Sequence, residues 1–282
     1  PSVSAGWNVH QEKWFQNPVM SKLKIRASYG ELGANFLNPY NFDAIAYGPI
    51  PYTVGGERYV TGRAAYLKSK DLKWETAKTT DIGIELGFFN NDLTLSLDYF
   101  VKKNVDLLAQ IDLNLSSGQI FEINSSREKP YVNTASVKNT GWEFMMNYRK
   151  QLTKDFHIDA TFNIATLKNK VLSLGENVQP ITSGAMSSYF NDAASITMPG
   201  EAIGSFYGYK IDGFDAEGNF IFADTDKNGV VNANDKVILG SPIPDFTYGL
   251  NINMEYKDFD LTVFFQGVQG NDIFNQKKYT YY

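Results

Sequence analysis

Several segments of this 282-residue chain alternate apolar and polar side chains with a period of two, and they come in pairs. In residues 82–88, Ile82, Ile84 and Leu86 alternate with small or charged residues. Because successive side chains of a β-strand point to opposite faces, this pattern predicts strands with one apolar and one polar face. The segments that show it are 4–9, 23–29, 82–88, 93–99, 142–149, 156–164, 246–256 and 259–266.

The connections between these segments alternate in length. Short turns at 89–92, 150–155 and 257–258 follow long excursions at 30–79, 104–140 and 167–245. Transmembrane barrels have short turns on one side and long extracellular loops on the other, with strands of about 9 to 11 residues. A soluble β-sandwich also has alternating strands, but it has no reason to keep this order. The sequence favours an all-β fold, an antiparallel transmembrane β-barrel with long extracellular loops.

The two faces of the predicted strands suit a barrel wall. Aromatic side chains at strand ends fit the interfacial girdles of such barrels; these are Phe88, Tyr99, Phe246, Tyr256 and Phe259. Charged side chains on the other face would line a wet lumen or, in a sandwich, face solvent; these are Asp81, Glu85, Asp98, Glu143, Arg149, Asp159 and Glu255.

About eight strands are visible by the alternation criterion. An open sheet of this kind would leave edge N–H and C=O groups unsatisfied in lipid, so the strands must close or belong to a longer sheet. Excursions of roughly 40 to 80 residues are oversized for a small barrel. We therefore expect residues 1–282 to form part of a large barrel, with 167–245 as a long extracellular loop region.

Composition excludes several classes of function. The net charge of −5, with dispersed Lys and Arg, argues against a nucleic-acid partner. The chain has no cysteine and no run of about 18 apolar residues, and residues 1–6 show no signal peptide. His10 and His157 have no serine elbow or metal-ligand spacing nearby, and no phosphate-binding loop is present. We expect no enzymatic activity and no organic cofactor.

Residues 224–235 have the spacing of a calcium loop, with Gly229 at the sharp turn. Calcium binds about six to eight oxygen ligands. Aspartate at the twelfth position departs from the EF-hand form and resembles dockerin-like loops. A polar β-connection rich in Asp, Asn and Gly is the alternative, and the metal's role would be structural. The candidate ligands are Asp224, Asp226, Asn228, the carbonyl of Val230, Asn232 and Asp235.

Aromatic residues in the long excursions are candidate substrate contacts, because exposed rings can stack on sugars or hold a peptide. The alternative for each ring is packing between loops. The candidates are Tyr40, Phe42, Tyr47, Tyr52, Tyr59, Tyr189 and Phe190.

Several ordered motifs resemble one family. The run LKIRASYGELGAN at 23–35 is similar to a segment of the SusC/RagA family of TonB-linked (TonB-dependent) outer-membrane receptors. Further similar segments cover nearly the whole chain in the same order. They are LKWETAKTTDIGIE at 72–85, NTGWE at 139–143, GYKIDG at 208–213, IPDFTYG at 243–249 and FDLTVFFQGVQGN at 259–271.

The resemblance implies a barrel of about 22 strands with a plugged lumen. It also implies a location in the outer membrane of a Gram-negative bacterium, a SusD-like surface lipoprotein as lid, and energy delivered by TonB through an N-terminal plug region. No plug, TonB-contact segment or closing strand is recognised, so we expect a C-terminal-half barrel fragment. The implied cargo is a glycan or oligosaccharide, with a peptide as the alternative. A secreted calcium-binding β-sandwich that binds carbohydrate is the rival from another class.

Overall fold

The computed structural model describes residues 1–34, 46–64, 72–110, 131–175, 178–185, 193–275 and 277. Short 3-10 helices occur at Val9–Gln11 and Ala233–Asp235. The strands are β1 (Ser2–Asn8), β2 (Met20–Ala34), β3 (Ala46–Val54), β4 (Glu57–Ala64), β5 (Glu75–Phe88), β6 (Leu93–Gln110), β7 (Tyr131–Thr153), β8 (Phe156–Thr166), β9 (Lys168–Ser173), β10 (Ile181–Ala185), β11 (Ala193–Thr197), β12 (Ser205–Tyr209), β13 (Ile211–Phe214), β14 (Phe220–Phe222), β15 (Lys236–Gly240), β16 (Phe246–Tyr256) and β17 (Phe259–Gln269).

One large antiparallel sheet dominates the structure and confirms the all-β prediction. Its strands follow the order β1-β2-β5-β6-β7-β8-β16-β17, and β9 pairs with β7 beyond the end of β8. The alternating segments all overlap strands of this path, and 4–9 pairs with 23–29 as expected, apart from Val9, which begins a 3-10 helix.

Four wall strands, β2, β5, β6 and β7, are longer than predicted, whereas β8, β16 and β17 have 11 residues each, within the expected range. β6 has 18 residues and β7 has 23, against the expected 9 to 11. The apolar face of β6 runs from Leu93 to Val101, and nine residues tilted by about 40° rise about 23 Å, close to the apolar band of a membrane barrel. The extra residues extend β6 and β7 beyond this band. The predicted excursion 104–140 and the turn 150–155 are therefore shorter than expected.

The apolar face stays uncovered by other parts of the described chain. Ile82 is 53% exposed and Phe265 is 57% exposed. A β-sandwich would bury these side chains against a second sheet, so the structure contradicts the sandwich alternative. Tyr99 and Trp142 contact each other on this face, with ring centroids 4.8 Å apart.

The short turns use backbone conformations that suit tight hairpins. Phe89, Asn90 and Asn91 all have positive φ, as does Lys257. Asparagine tolerates the left-handed region better than most residues. Together with the turn between Thr153 and Phe156, these turns place three strand connections at the same end of the sheet.

The connections at the opposite end carry their own structure. β10, β11, β12 and β15 form a four-stranded sheet, and β13 pairs with β14 in a hairpin. Backbone hydrogen bonds attach this region to the large sheet, including Val171 N–H to Glu201 O at 2.8 Å and Leu167 N–H to Asp245 O at 3.0 Å. A dry cluster of Ala135, Val137, Val171 and Leu174 lies beside these attachments.

Among the described residues, no helix has the length and apolar character needed to span a membrane.

Candidate functional site

The polar face of β1, β2, β5 and β6 forms a charged wall. Three consecutive rows of register-paired residues here hold five charged side chains; these are Lys22, Lys24, Arg26, Glu85 and Asp98. Glu85 contacts Lys22 Nζ at 2.7 Å and Lys24 Nζ at 3.6 Å. The charges of this wall are therefore compensated by neighbours on adjacent strands.

A glycine lets one ion pair cross a whole strand. Arg26, Gly83 and Asp98 occupy one row on β2, β5 and β6. Arg26 Nη2 reaches Asp98 Oδ1 at 2.7 Å, and the Asp98 side chain is also held by Ser96 Oγ, which donates to Oδ2 at 3.0 Å. A Cβ at Gly83 would collide with Asp98 Oδ1 and lie 2.9 Å from Arg26 Nε. The missing side chain therefore makes the contact possible.

Three rows on the polar face of β7, β8, β16 and β17 form a neutral wall, and the rows below it hold charged side chains such as Arg149, Asp159 and Glu255. The same three rows continue across these strands and hold a single charged side chain, Glu143. The other positions carry mainly amide, hydroxyl and small apolar residues. One row lower, Arg149 Nε donates to Asp159 Oδ2 at 2.8 Å. The charged residues expected to line a lumen are thus divided between the two parts of the sheet. Asp81, Glu85 and Asp98 lie on β5 and β6, whereas Glu143, Arg149, Asp159 and Glu255 lie on β7, β8 and β16.

Asn163 lies over Gly249 on the neutral wall. Both atoms of its amide group lie 3.2 Å from the position of a Cβ built on Gly249. The amide thus occupies the space of the missing side chain, as Arg26 and Asp98 do over Gly83. Within the described ranges, the Asn163 side chain has no hydrogen-bond partner.

The acidic loop, residues 224–235, brings three of the predicted ligands together. Carboxylate oxygens of Asp224, Asp226 and Asp235 lie within 4.8 Å of one another. Asp224 accepts backbone N–H groups of Asn228 at 3.1 Å and Gly229 at 2.7 Å. These bonds wrap the loop around the carboxylates, and Gly229 adopts φ +85° at the turn.

The other predicted ligands lie in the same loop. The Asn228 amide donates to Asp226 Oδ2 at 2.8 Å, and the Asn232 amide donates to the Val230 carbonyl at 3.0 Å. Carboxylate, amide and carbonyl oxygens are the donor set that calcium prefers. The residues present therefore fit a calcium ion chemically.

Asp235 is the buried member of the loop, with 0% of its surface exposed. Its Oδ2 accepts the Asn232 N–H at 2.8 Å and its Oδ1 accepts the Thr225 N–H at 2.7 Å. The Asn232 N–H, helped by those of Asp226 and Thr225, holds the pKa of the Asp235 carboxyl below its usual range, although burial acts in the opposite direction. The group stays ionised and organises the loop.

The aromatic candidates are only partly placed. Tyr47 and Tyr52 lie on β3 and Tyr59 on β4, where Tyr52 pairs with Tyr59. Tyr59 is 45% exposed, and its hydroxyl donates to Glu57 at 3.1 Å. Tyr40, Phe42, Tyr189 and Phe190 lie outside the described residues.

Sequence reasoning missed two groups of exposed rings. On the β13–β14 hairpin, Phe214 and Phe220 are 65% and 57% exposed, with centroids 5.3 Å apart. On the neutral wall, Phe264 faces the polar side and is 61% exposed. Phe264 precedes the apolar-face Phe265, and the alternation of β17 could have identified its direction.

Comparison with known proteins decides the family. The family model described as TonB dependent receptor-like, beta-barrel, matches residues 1–282. The chain belongs to the TonB-dependent receptor β-barrel family. Its members are outer-membrane transport receptors rather than enzymes, which confirms the sequence-based resemblance and the barrel prediction at this level.

Two curated receptors illustrate the relationship. The TonB-dependent receptor P3 of Formosa agariphila is 34% identical over 293 residues, which cover 98% of this chain and 28% of that receptor. The TonB-dependent receptor SusC of Bacteroides thetaiotaomicron is 29% identical over 297 residues, covering 97% of this chain and 28% of SusC. The chain thus spans little more than a quarter of these TonB-dependent receptors.

Solved structures show the same fold. The RagAB peptide importer in its open-open state superposes with a TM-score of 0.77 at 22% identity, covering 96% of this chain and 28% of that one. A second structure, described as the RagAB peptide transporter, gives a TM-score of 0.72 at 21% identity. The large sheet is therefore a barrel wall of the TonB-dependent receptor type.

Proposed function

We propose that this chain is part of the wall and extracellular loops of an outer-membrane importer that takes up glycans or oligosaccharides. The observation that carries the proposal is the register of the eight strands, which keeps the apolar rows between Leu93 and Val101 of β6 on one face and the mainly polar rows between them on the other. The family supports import as the activity. The resemblance to the SusC/RagA family, which implies a glycan or oligosaccharide, and the three weakly charged rows of the neutral wall favour a glycan as cargo.

The proposed setting is the outer membrane of a Gram-negative bacterium, with lipid against the apolar face. A SusD-like surface lipoprotein would act as the lid, and TonB would act through an N-terminal plug region of the whole receptor. The support is the relationship to SusC and the P3 receptor.

The test uses the full-length receptor that contains this chain. We expect it to fractionate with outer membranes, to need detergent for extraction, and to bring a lipid-anchored protein with it on affinity purification. Deleting its gene should abolish uptake of a radiolabelled neutral oligosaccharide and leave peptide uptake unchanged. Recovery of the full-length receptor in a detergent-free soluble fraction would end the proposal.

Peptide import is the second candidate, and the fold similarity to the RagAB peptide importer is the specific observation that favours it. In the same uptake assay this candidate predicts the reverse result. Loss of labelled peptide uptake with unchanged oligosaccharide uptake would replace the glycan assignment.

We also propose that the acidic loop binds one structural calcium ion through Asp224, Asp226, Asn228, Val230, Asn232 and Asp235. The clustered carboxylates and the oxygen donor set support this. The ion would add charge compensation to a loop that holds three carboxylates within 4.8 Å.

Calorimetric titration of the chelator-treated full-length receptor with calcium chloride tests the site. Asp224→Ala should weaken binding by at least about tenfold, since a ligand and a turn-forming acceptor are both lost. Asp215→Ala is the matched control, because Asp215 also accepts backbone N–H groups in a turn, from Glu217 and Asn219, but lies outside the cluster. Equal calcium affinity in the wild type and Asp224→Ala would remove the site.

A further inference from the structure

A group of polar side chains surrounds Gly249 on the neutral wall, and we call it the amide patch. Asn163, Gly249 and Gln266 share one row, with Thr247 in the row above and the Asn251–Phe264 pair in the row below. Strands about 4.8 Å apart and rows about 6.7 Å apart give the patch a size of about 10 by 13 Å. That area matches a short segment of a sugar chain.

The patch differs from its surroundings in its hydrogen bonding. Across the described part of the chain, the side chains of Thr247, Asn251 and Gln266, like that of Asn163, have no hydrogen-bond partner. Nearby amides are engaged, since Asn147 donates to Thr161 Oγ1 at 2.8 Å and Asn253 accepts from Thr262 at 2.9 Å. A ligand that displaced water from the patch would need to supply donors and acceptors.

We infer that the amide patch is a subsite for a neutral oligosaccharide, an inference that rests on the proposed importer function. Amide groups donate and accept hydrogen bonds, as sugar hydroxyl groups do. The exposed ring of Phe264 provides an apolar surface for a sugar face. On the neutral wall the three rows hold only one charged side chain, Glu143, which gives an ionic ligand little compensation, whereas an uncharged polyol needs none.

The location of the patch suits a ligand that enters from the long-loop side. Gly249 lies near the end of β16 that follows Asp245, where the loop region joins the wall through the Leu167 N–H to Asp245 O bond. The short turn at Lys257 is at the other end of the same strand. Gly249 shares its row with Ser96, within the apolar band of β6, so cargo would meet the subsite at the depth of this band, below the loop region.

Binding to the detergent-solubilised full-length receptor tests the inference. The probes are neutral hexasaccharides of glucose, mannose, galactose and xylose, with an oligogalacturonate and an uncharged hexapeptide for comparison. Phe264→Ala and Asn251→Ala should each weaken binding of the preferred neutral hexasaccharide by about tenfold, the loss expected for one buried contact. Phe265→Ala and Asn253→Ala are matched controls, since Phe265 lies on the apolar face and Asn253 is already paired, and both should stay within twofold.

The possible results distinguish a failure of the subsite inference from a failure of the proposed importer function. If a neutral hexasaccharide binds the wild type and both patch variants equally, the patch is not a subsite, while the importer proposal stands. If only the hexapeptide or the oligogalacturonate binds, the inference and the neutral-glycan function both fall. If the patch variants unfold at a lower temperature without changed affinity, the patch contacts protein rather than cargo and the inference fails.

Discussion

The charged wall and the neutral wall are two halves of one sheet, and each contains a glycine on its polar face. Over Gly83 the space is closed by the Arg26–Asp98 ion pair, in which Nη2 and Oδ1 lie 2.7 Å apart. Over Gly249 the space is taken by the Asn163 amide, which has no hydrogen-bond partner among the described residues. A glycine on the polar face thus makes room for an ion pair between strands in one half. In the other half it makes room for an amide that can still form hydrogen bonds.

The glycines themselves give the largest expected contrast. Gly83→Ala would place a methyl group on Asp98 Oδ1 and separate the ion pair, so we expect a loss of about 2 kcal/mol in stability. Gly249→Ala meets the Asn163 amide at 3.2 Å, the far end of a side chain that can rotate away, and should change stability by less than about 0.5 kcal/mol. Thermal unfolding of the full-length receptor in detergent measures both. Similar shifts for the two variants would remove the distinction between the walls.

A smaller contrast concerns the ion pairs. The side chains of Arg26 and Asp98 are 39% and 11% exposed, whereas those of Arg149 and Asp159 are 65% and 20% exposed. Double-mutant cycles with Arg26→Gln and Asp98→Asn should give a coupling of about 1 kcal/mol. The Arg149→Gln and Asp159→Asn cycle should give about 0.3 kcal/mol, because water screens that pair. Couplings in the reverse order would contradict the assignment of cohesion to the charged wall.

The buried carboxylate of the acidic loop differs from the carboxylates of the two walls. Backbone N–H groups, including those of Thr225 and Asn232, donate to Asp235. The folded pKa of Asp235 is lowered, so its contribution is complete above about pH 4 and is lost as pH falls through the lower folded value. We expect the loop amides to lose hydrogen-exchange protection in that acid range in calcium-free buffer. Asp235→Asn should show reduced protection already at pH 7, and unchanged protection there would contradict the role of the carboxylate.

Two amides of the polar face should also differ, with small effects on stability. Asn253→Ala leaves the Thr262 hydroxyl without its acceptor and should cost about 0.5 kcal/mol. Asn251→Ala removes no bond within the described structure, so its unfolding temperature should equal that of the wild type. A lower unfolding temperature for Asn251→Ala would show that the amide patch is already satisfied by protein.

Sequence alternation predicted the wall strands and their faces because burial of one face imposes a period of two on residues such as 246–256. It could not identify β8 as the neighbour of β16, since 79 residues separate them and alternation does not depend on the partner. The short strands β9 to β15, of 3 to 6 residues, are too brief for a periodic signal. The Arg26–Asp98 contact joins residues 72 positions apart, and only the register reveals it.

The spacing of residues 224–235 identified the acidic loop because its ligands are local in sequence. The amide patch had no such signal, since Asn163, Asn251 and Gln266 come from three strands. Sites assembled across strands need the pairing scheme, whereas sites within one loop can be read from the chain alone.

The register between β8 and β16, which runs over 11 residue pairs without a shift, limits how such a chain can change in length. A single residue inserted within β8 or β16 would move every following side chain of that strand to the opposite face of the sheet. Lipid-facing and water-facing groups would then exchange places. Insertions and deletions are therefore tolerable chiefly in the long connections. A protein of this kind can remodel its outer surface extensively while its wall remains fixed in length.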